Sequence, residues 1–352
     1  MRRLSLVLLA GAALLLTAGA AAAQTTISSR AASIRFGGRL HTQYAMSSVE
    51  SFNDQFFFRR ARIIADITVS DFFDARVQPE FAGGATELRD AYVRFKFSDA
   101  FQLTMGQFKR PFDVFELDSS TDLSLIERDG RVGGVGGCGG VGGMCSYSRF
   151  TEKLGYSDRD TGLRVGGASG KVAYEVAMTN GTGANEDDEN DGKSFSGRVA
   201  VEVSDGVTVA GQLASHDHVH PDGETARAGA WAADVTYGTW RDGFMLQAAL
   251  VGGDNWKKAD VSGGEVKFMA LQGMASYYHP LDDARWAGIE PLLRVSWGDP
   301  DTNVDSDGGV VFTPGLMLYV LGRNKIGFNV DVWSPQDGDT EYSFKLQSFL
   351  YF

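Results

Sequence analysis

Long hydrophobic runs are the first thing this 352-residue sequence lacks. Beyond residue 23 no apolar stretch approaches the ~20 residues that a helix needs to cross a bilayer, which excludes a polytopic helical membrane protein. Cysteine is scarce at 2 residues, so no disulfide framework holds the fold. Only 8 prolines stand against 44 glycines, the balance of a chain rich in turns and strands. Positive charge is in deficit as well: 33 Lys and Arg against 45 Asp and Glu leave a net −12, which argues against a nucleic-acid binder. The length would ordinarily suggest two soluble domains, but barrels break that rule, and one large all-β domain is the better expectation.

The first segment reads as an address. Arg2 and Arg3 precede an apolar stretch from Leu4 to Leu16, and Ala21, Ala22 and Ala23 stand before Gln24, the layout of a secretory signal with its cleavage site. An N-terminal membrane anchor is the competing reading, and the leucine-rich part is short for it. The expected organisation is therefore a removed signal over 1–23 and a single transmembrane β-barrel domain over 24–352.

What is present is alternation. In 34–44 one parity holds Ile34, Phe36, Leu40 and Tyr44, and the other holds Arg35, Arg39, His41 and Gln43. Such a pattern sends apolar and polar residues to opposite faces of a strand. Sixteen segments of this kind follow one another, from 34–44 to 342–352, an even number as single-chain bacterial barrels require. Short connections such as 70–72 and 204–206 alternate with long polar ones such as 180–194 and 252–266. Tight turns at one end and free loops at the other are the asymmetry of an outer-membrane barrel, although a sheet with one wet face shows the same period. A lone Arg or Lys facing lipid costs about 2–4 kcal/mol at the midplane, so basic residues should share the polar parity, and most do. Arg59 and Arg89 sit on the apolar parity, at the loop-side ends of their strands, where that cost falls to about 0–1 kcal/mol.

The runs Leu88-Arg-Asp-Ala-Tyr-Val-Arg-Phe95, Met105-Gly-Gln-Phe-Lys-Arg-Pro-Phe112 and Ile126-Glu-Arg128 occur in this order. Phe58-Arg-Arg-Ala-Arg62, Arg159-Asp-Thr-Gly162, Glu290-Pro-Leu-Leu-Arg294 and the terminal Phe352 support them. Together they resemble the phosphate-selective porins O and P. The resemblance implies an all-β fold, a transmembrane antiparallel barrel of about sixteen strands that forms a homotrimer in the bacterial outer membrane. It also implies a long loop after the fifth strand that folds into the lumen, here 109–157. That loop would bring Lys109, Arg110, Asp113, Glu116, Glu127, Arg128 and Arg131 to the narrowest part of the bore. Basic residues of inward parity, Arg35, Arg39, Arg60, Arg62, Arg76, Arg94, Lys96, Arg164 and Arg198, would line an anion pathway. The partners implied are small hydrophilic solutes or anions, outer-membrane lipid and lipopolysaccharide, with no cofactor and no nucleic acid. Acidic residues share the inward parity (Asp66, Asp74, Glu80, Asp90, Glu175, Glu202), and loops 186–191 and 299–307 are heavily negative. A general or weakly cation-selective pore, or a closed adhesion barrel with partner-binding loops, therefore remains an alternative.

The other constellations carry little. Cys138 and Cys145 lie in a glycine-rich stretch and, in an exported chain, lean towards a disulfide, with two free thiols as the alternative. His216, His218 and His220 would share one face of a strand, yet three imidazoles without a second shell are weak metal ligands, and an exposed hairpin tip is the plainer reading. The calcium-loop likeness of 303–308 fails at Pro314, where a bidentate Glu is needed. No nucleophile elbow, zinc-protease helix or Ser-His-Asp grouping is present, so no enzyme and no metal site is expected.

Overall fold

A computed structural model describes the backbone of residues 25–28 and 33–352. The expected signal over 1–23 lies outside the described residues. A short strand, β1 (Thr25–Ser28), precedes sixteen long ones: β2 (Ser33–Ser47), β3 (Gln55–Thr68), β4 (Phe73–Glu80), β5 (Glu87–Ser98), β6 (Phe101–Lys109), β7 (Arg159–Ser169), β8 (Val172–Thr179) and β9 (Ser194–Ser204) form the first half. The second half is β10 (Val207–Val219), β11 (Thr225–Thr239), β12 (Asp242–Asp254), β13 (Lys267–Pro280), β14 (Gly288–Asp299), β15 (Gly309–Leu321), β16 (Asn324–Pro335) and β17 (Glu341–Tyr351). Each pairs antiparallel with its sequence neighbours, and β17 pairs with β2, so β2–β17 close into a sixteen-stranded barrel. At the seam the Gly38 N–H donates to the Phe352 carbonyl at 2.8 Å, and the Phe352 N–H returns the bond at 3.2 Å. Beyond that point β1 pairs with the start of β2, Thr25 opposite Phe36.

Closure follows from chemistry: in hydrocarbon an unpaired strand edge would leave backbone polar groups with no partner. The period-2 pattern then decides which face meets lipid. Phe56, Phe58, Met105 and Leu213 are exposed on the outer surface, whereas Gln43, Gln247, Gln272, Ser296 and Gln347 are buried on the inner one. Two-residue turns close one end, among them Gly170-Lys171, Asp205-Gly206 and Gly322-Arg323, and their glycines take φ of 57°, 72° and 57°. The long loops gather at the other end.

Two sequence expectations need correction here. Arg59 does not face lipid: the register between β2 and β3 slips after His41, which pairs with Arg60 while Thr42 pairs with Phe58. Arg59 is the extra residue of that bulge, and its guanidinium is released from the alternation to bond Glu127 at 2.7 and 2.9 Å. The histidine segment is no exposed tip either. β10 runs on to Val219, and His216 and His218 are buried, stacked on each other and on Trp256 of the helix at Trp256–Ser262. Among the described residues no cluster suited to a metal ion occurs.

Gly106 tests the packing of the wall. Its φ is 127°, and a Cβ there would stand 2.3 Å from the Ala91 carbonyl oxygen of the adjacent strand. Gly106→Val adds about 1–3 kcal/mol of backbone strain before the clash is counted. It should sharply reduce the heat-modifiable, fast-migrating species on gels. Wild-type folding yield would contradict this geometry.

Candidate functional site

Between β6 and β7 the chain leaves the wall for residues 110–158. Lys109 belongs to β6, where it pairs with Arg159, so the connection begins one residue later than the sequence suggests. Two short helices interrupt it, α1 (Val114–Leu117) and α2 (Tyr147–Lys153). Asp113 caps α1, accepting from the N–H groups of Phe115 at 2.9 Å and Glu116 at 3.2 Å. The third helix, α3, is the Trp256–Ser262 turn already described, and its Trp256 indole donates to the Leu154 carbonyl at 2.8 Å.

This connection bonds inward-parity side chains around half the barrel. The Asp113 N–H donates to Gln212 of β10 at 2.6 Å, and Gln247 of β12 donates to the Asp118 carboxylate at 3.0 Å. From β14, Glu290 accepts from Ser124 at 2.7 Å, and Arg294 donates to the carbonyls of Glu127 at 3.0 Å and Arg128 at 2.7 Å. Asn329 and Asp331 of β16 accept from the N–H groups of Ile126 and Arg131 at 2.8 and 3.1 Å. Lys325 and Lys345 donate to the carbonyls of Leu123 and Arg131, and Arg39 of β2 donates to Ser120. Sequence reasoning missed Glu290, Arg294, Lys325, Asp331 and Lys345. Inward parity marked all five, but nothing in the alternation says which wall the connection will meet.

The charged residues expected at the narrowing act largely on the connection itself. Lys109 donates to the carbonyls of Glu116 and Asp118, and Arg128 donates to those of Phe115 at 2.8 Å and Asp118 at 2.6 Å. Arg110 donates to the Ser157 carbonyl at 2.8 Å. Glu116 lies 3.4 Å from both Lys109 and Arg128. Arg131 takes part through its backbone. Cys138 and Cys145 are joined in a disulfide, with Cα atoms 5.2 Å apart.

The residues expected to form an anion path divide into two groups. Six are ion-paired along the wall: Arg62 with Glu80, Arg76 with Asp66 at 2.6 Å, Arg94 and Lys96 with Asp74 at 2.8 and 3.2 Å, Arg164 with Glu175 at 3.2 Å, and Arg198 with Asp234 at 2.8 Å. Among the described residues Arg35, Arg39 and Arg60 have no carboxylate within 4.0 Å. Arg60 and Arg39 are buried beside His41 and Ser120, and Arg35 is exposed near the turn-side end.

Two cavities lie beside strands β5–β10. One, of about 650 Å³ on the turn side, is lined by Arg94, Gln102, Thr104, Arg164, Glu175 and Arg198. A second, of about 560 Å³, lies on the loop side between Arg159, Asp158, Thr182 and His218. Arg159 and Arg164 of the same strand mark the two levels.

A family model, phosphate-selective porin O and P, matches residues 34–228, more than half of the chain. The protein belongs to that family. It is an outer-membrane porin, and family and barrel together fit a channel rather than an enzyme. Among solved structures, the porin is similar to the anion-selective porin of Comamonas acidovorans at 13% identity and a TM-score of 0.65, over 91% of this chain and 100% of that one. It is also similar to OmpF of Salmonella typhi, solved with daunomycin, at 14% identity and a TM-score of 0.63, over 93% and 100%. OmpT of Vibrio cholerae in its trimer form gives 11% and 0.60, over 92% and 100%. What these identities share is the fold. A comparison with curated proteins gives no match.

Two carboxyls of the 110–158 connection are shifted in opposite directions. Burial pushes the Asp113 acid up to about 7, the Glu116 charge adds to that, and bonds from Thr151 and the backbone oppose it. Burial alone would raise Glu127 too, but the Arg59 charge and its hydrogen bonds outweigh it and hold that carboxyl well below the usual range. A raised acid holds a proton that the released segment gives up, so Asp113 weakens the connection as pH climbs from about 4 to about 7. Hydrogen-exchange protection of residues 110–120, corrected for intrinsic rates, should fall from pH 5 to pH 8, and Asp113→Asn should flatten that slope. An unchanged slope in the variant would exclude Asp113 as its source. Glu127→Gln removes the counter-charge of Arg59 at a cost on the order of 2 kcal/mol, so amides of 124–131 should exchange about 30-fold faster. Exchange within about twofold of wild type would show that the pair does not anchor the segment.

Proposed function

We propose that this porin passes small hydrophilic solutes by passive diffusion with a preference for anions, along the side of the lumen formed by β4–β9. The observation that carries the reading is the row Arg76, Arg94, Arg164 and Arg198, none of which bonds the 110–158 connection and three of which face the 650 Å³ cavity. Guanidinium groups in such a row replace part of an anion's hydration, and spreading them over several strands keeps each site weak enough to release it. Arg39 and Arg60, without carboxylate partners, add positive potential where the connection narrows the bore. Residues 110–158 act as the constriction in this reading, residues 1–23 as an export signal removed before Gln24, and the barrel assembles as a trimer in contact with lipopolysaccharide.

Asp66, Asp74, Glu175 and Asp234, each beside one of these cations, favour a second reading, a weakly cation-selective pore. Reversal potentials in a KCl gradient, repeated with phosphate, separate the two. The first reading expects an anion bias that Arg94→Ala with Arg164→Ala reduces several-fold and Asp74→Asn strengthens. A cation bias in the wild type, insensitive to the two arginines, would remove the anion assignment in favour of the second reading.

A further inference from the structure

On the outer surface, away from the bore, the wall from β9 to β13 carries a groove near its long-loop end. It encloses about 780 Å³ and is walled by Phe195, Leu213, Trp231 and Met269. Its floor is backbone at Gly197 and Gly229, where an added Cβ would meet nothing nearer than 3.6 Å. The absent side chains therefore leave free volume rather than a tight strand contact. Two cations stand at the upper end, Arg227 and Lys267, with side chains 50% and 51% exposed. Arg227 is fixed in place: it donates to Ser215 Oγ at 3.2 Å and to the Lys193 carbonyl at 3.1 Å, and its guanidinium lies 5.9 Å over the Phe195 ring. Its counter-charge, Asp217, is 3.7 Å away and buried. Lys267 pairs with Asp254, whose carboxylate also accepts the Gly229 N–H at 2.6 Å. Asp217 thus faces protein, Asp254 lines the groove with 29% of its side chain exposed, and the two cationic heads are the more exposed groups.

We infer that this groove binds a phosphate-bearing acyl lipid of the leaflet at the long-loop end, with a phosphate against Arg227 and Lys267 and an acyl chain along Gly197 and Gly229 between the aromatic walls. The inference rests on the reading of the chain as a membrane-spanning barrel. An acyl chain is slender and convex and fills a concave apolar slot. A second copy meeting this face would oppose one hollow to another and bring like cations together. Basic side chains at the headgroup level contribute through their attraction to anionic lipid, and the groove supplies apolar area.

The test is retention of diphosphoryl lipid A by the purified full-length porin, read by native mass spectrometry, with single-channel conductance measured on the same samples. Arg227→Gln with Lys267→Gln removes the charges, and Gly229→Leu fills the slot from a position whose backbone accepts a side chain. Each should lower lipid retention roughly tenfold or more while conductance stays at the wild-type level. Retention equal to wild type in both variants overturns the inference. So does a Gly229→Leu variant that loses oligomer but keeps its lipid, which would make the face a contact between copies. A wild type that binds lipid A yet conducts nothing would sink the pore reading and leave the groove standing.

Discussion

One layer of backbone separates hydrocarbon from water in this molecule, and hydrocarbon offers no partner for an N–H or C=O group. The sheet must therefore bond to itself all the way round, which is why the terminal Phe352 returns to Gly38 and no strand of the wall is left with an open edge. Everything else is arranged within that ring. The pleat assigns alternate residues to lipid and lumen, and a charge can change sides only where the register breaks, as it does for Arg59 at the bulge opposite His41.

Inside the ring the charges serve two ends. On β14–β17 the buried cations Arg294, Lys325 and Lys345 bond carbonyls of the 110–158 connection, with Asp331 between Arg294 and Lys345. Burying an isolated charge is costly, and these are retained because each finds both a counter-charge or aromatic faces and a carbonyl. Lys325, for example, lies 5.1 Å from the Trp240 ring, 5.2 Å from Tyr319 and 5.0 Å from Phe349. These bonds hold the 110–158 connection against the inward-parity side chains of β14–β17. On β4–β9 the cations instead pair with carboxylates on nearby strands and remain partly exposed.

The same physics explains why paired charges are compatible with conduction. A lumen of unpaired arginines would bind an anion tightly and hold it, and would repel its own wall strands. Carboxylates such as Asp74, shared by Arg94 and Lys96, reduce that field without abolishing it. The balance between the two signs, more than the count of either, sets selectivity in a bore of this kind.

The amino-acid sequence by itself determined the class of fold, the number of wall strands and which parity faces water, because a two-residue period and the lipid cost of charge act locally. Arg76, Arg94, Arg164 and Arg198 were legible as luminal for that reason. Tertiary structure decided what those positions meet. Nothing local says that Arg294 and Lys345 will reach carbonyls 127 and 131 respectively, that a bulge will turn Arg59 onto Glu127, or that a longer β10 will bury His216 and His218 against Trp256. Those contacts join residues far apart in the chain, and only closure of the barrel brings them within bonding distance.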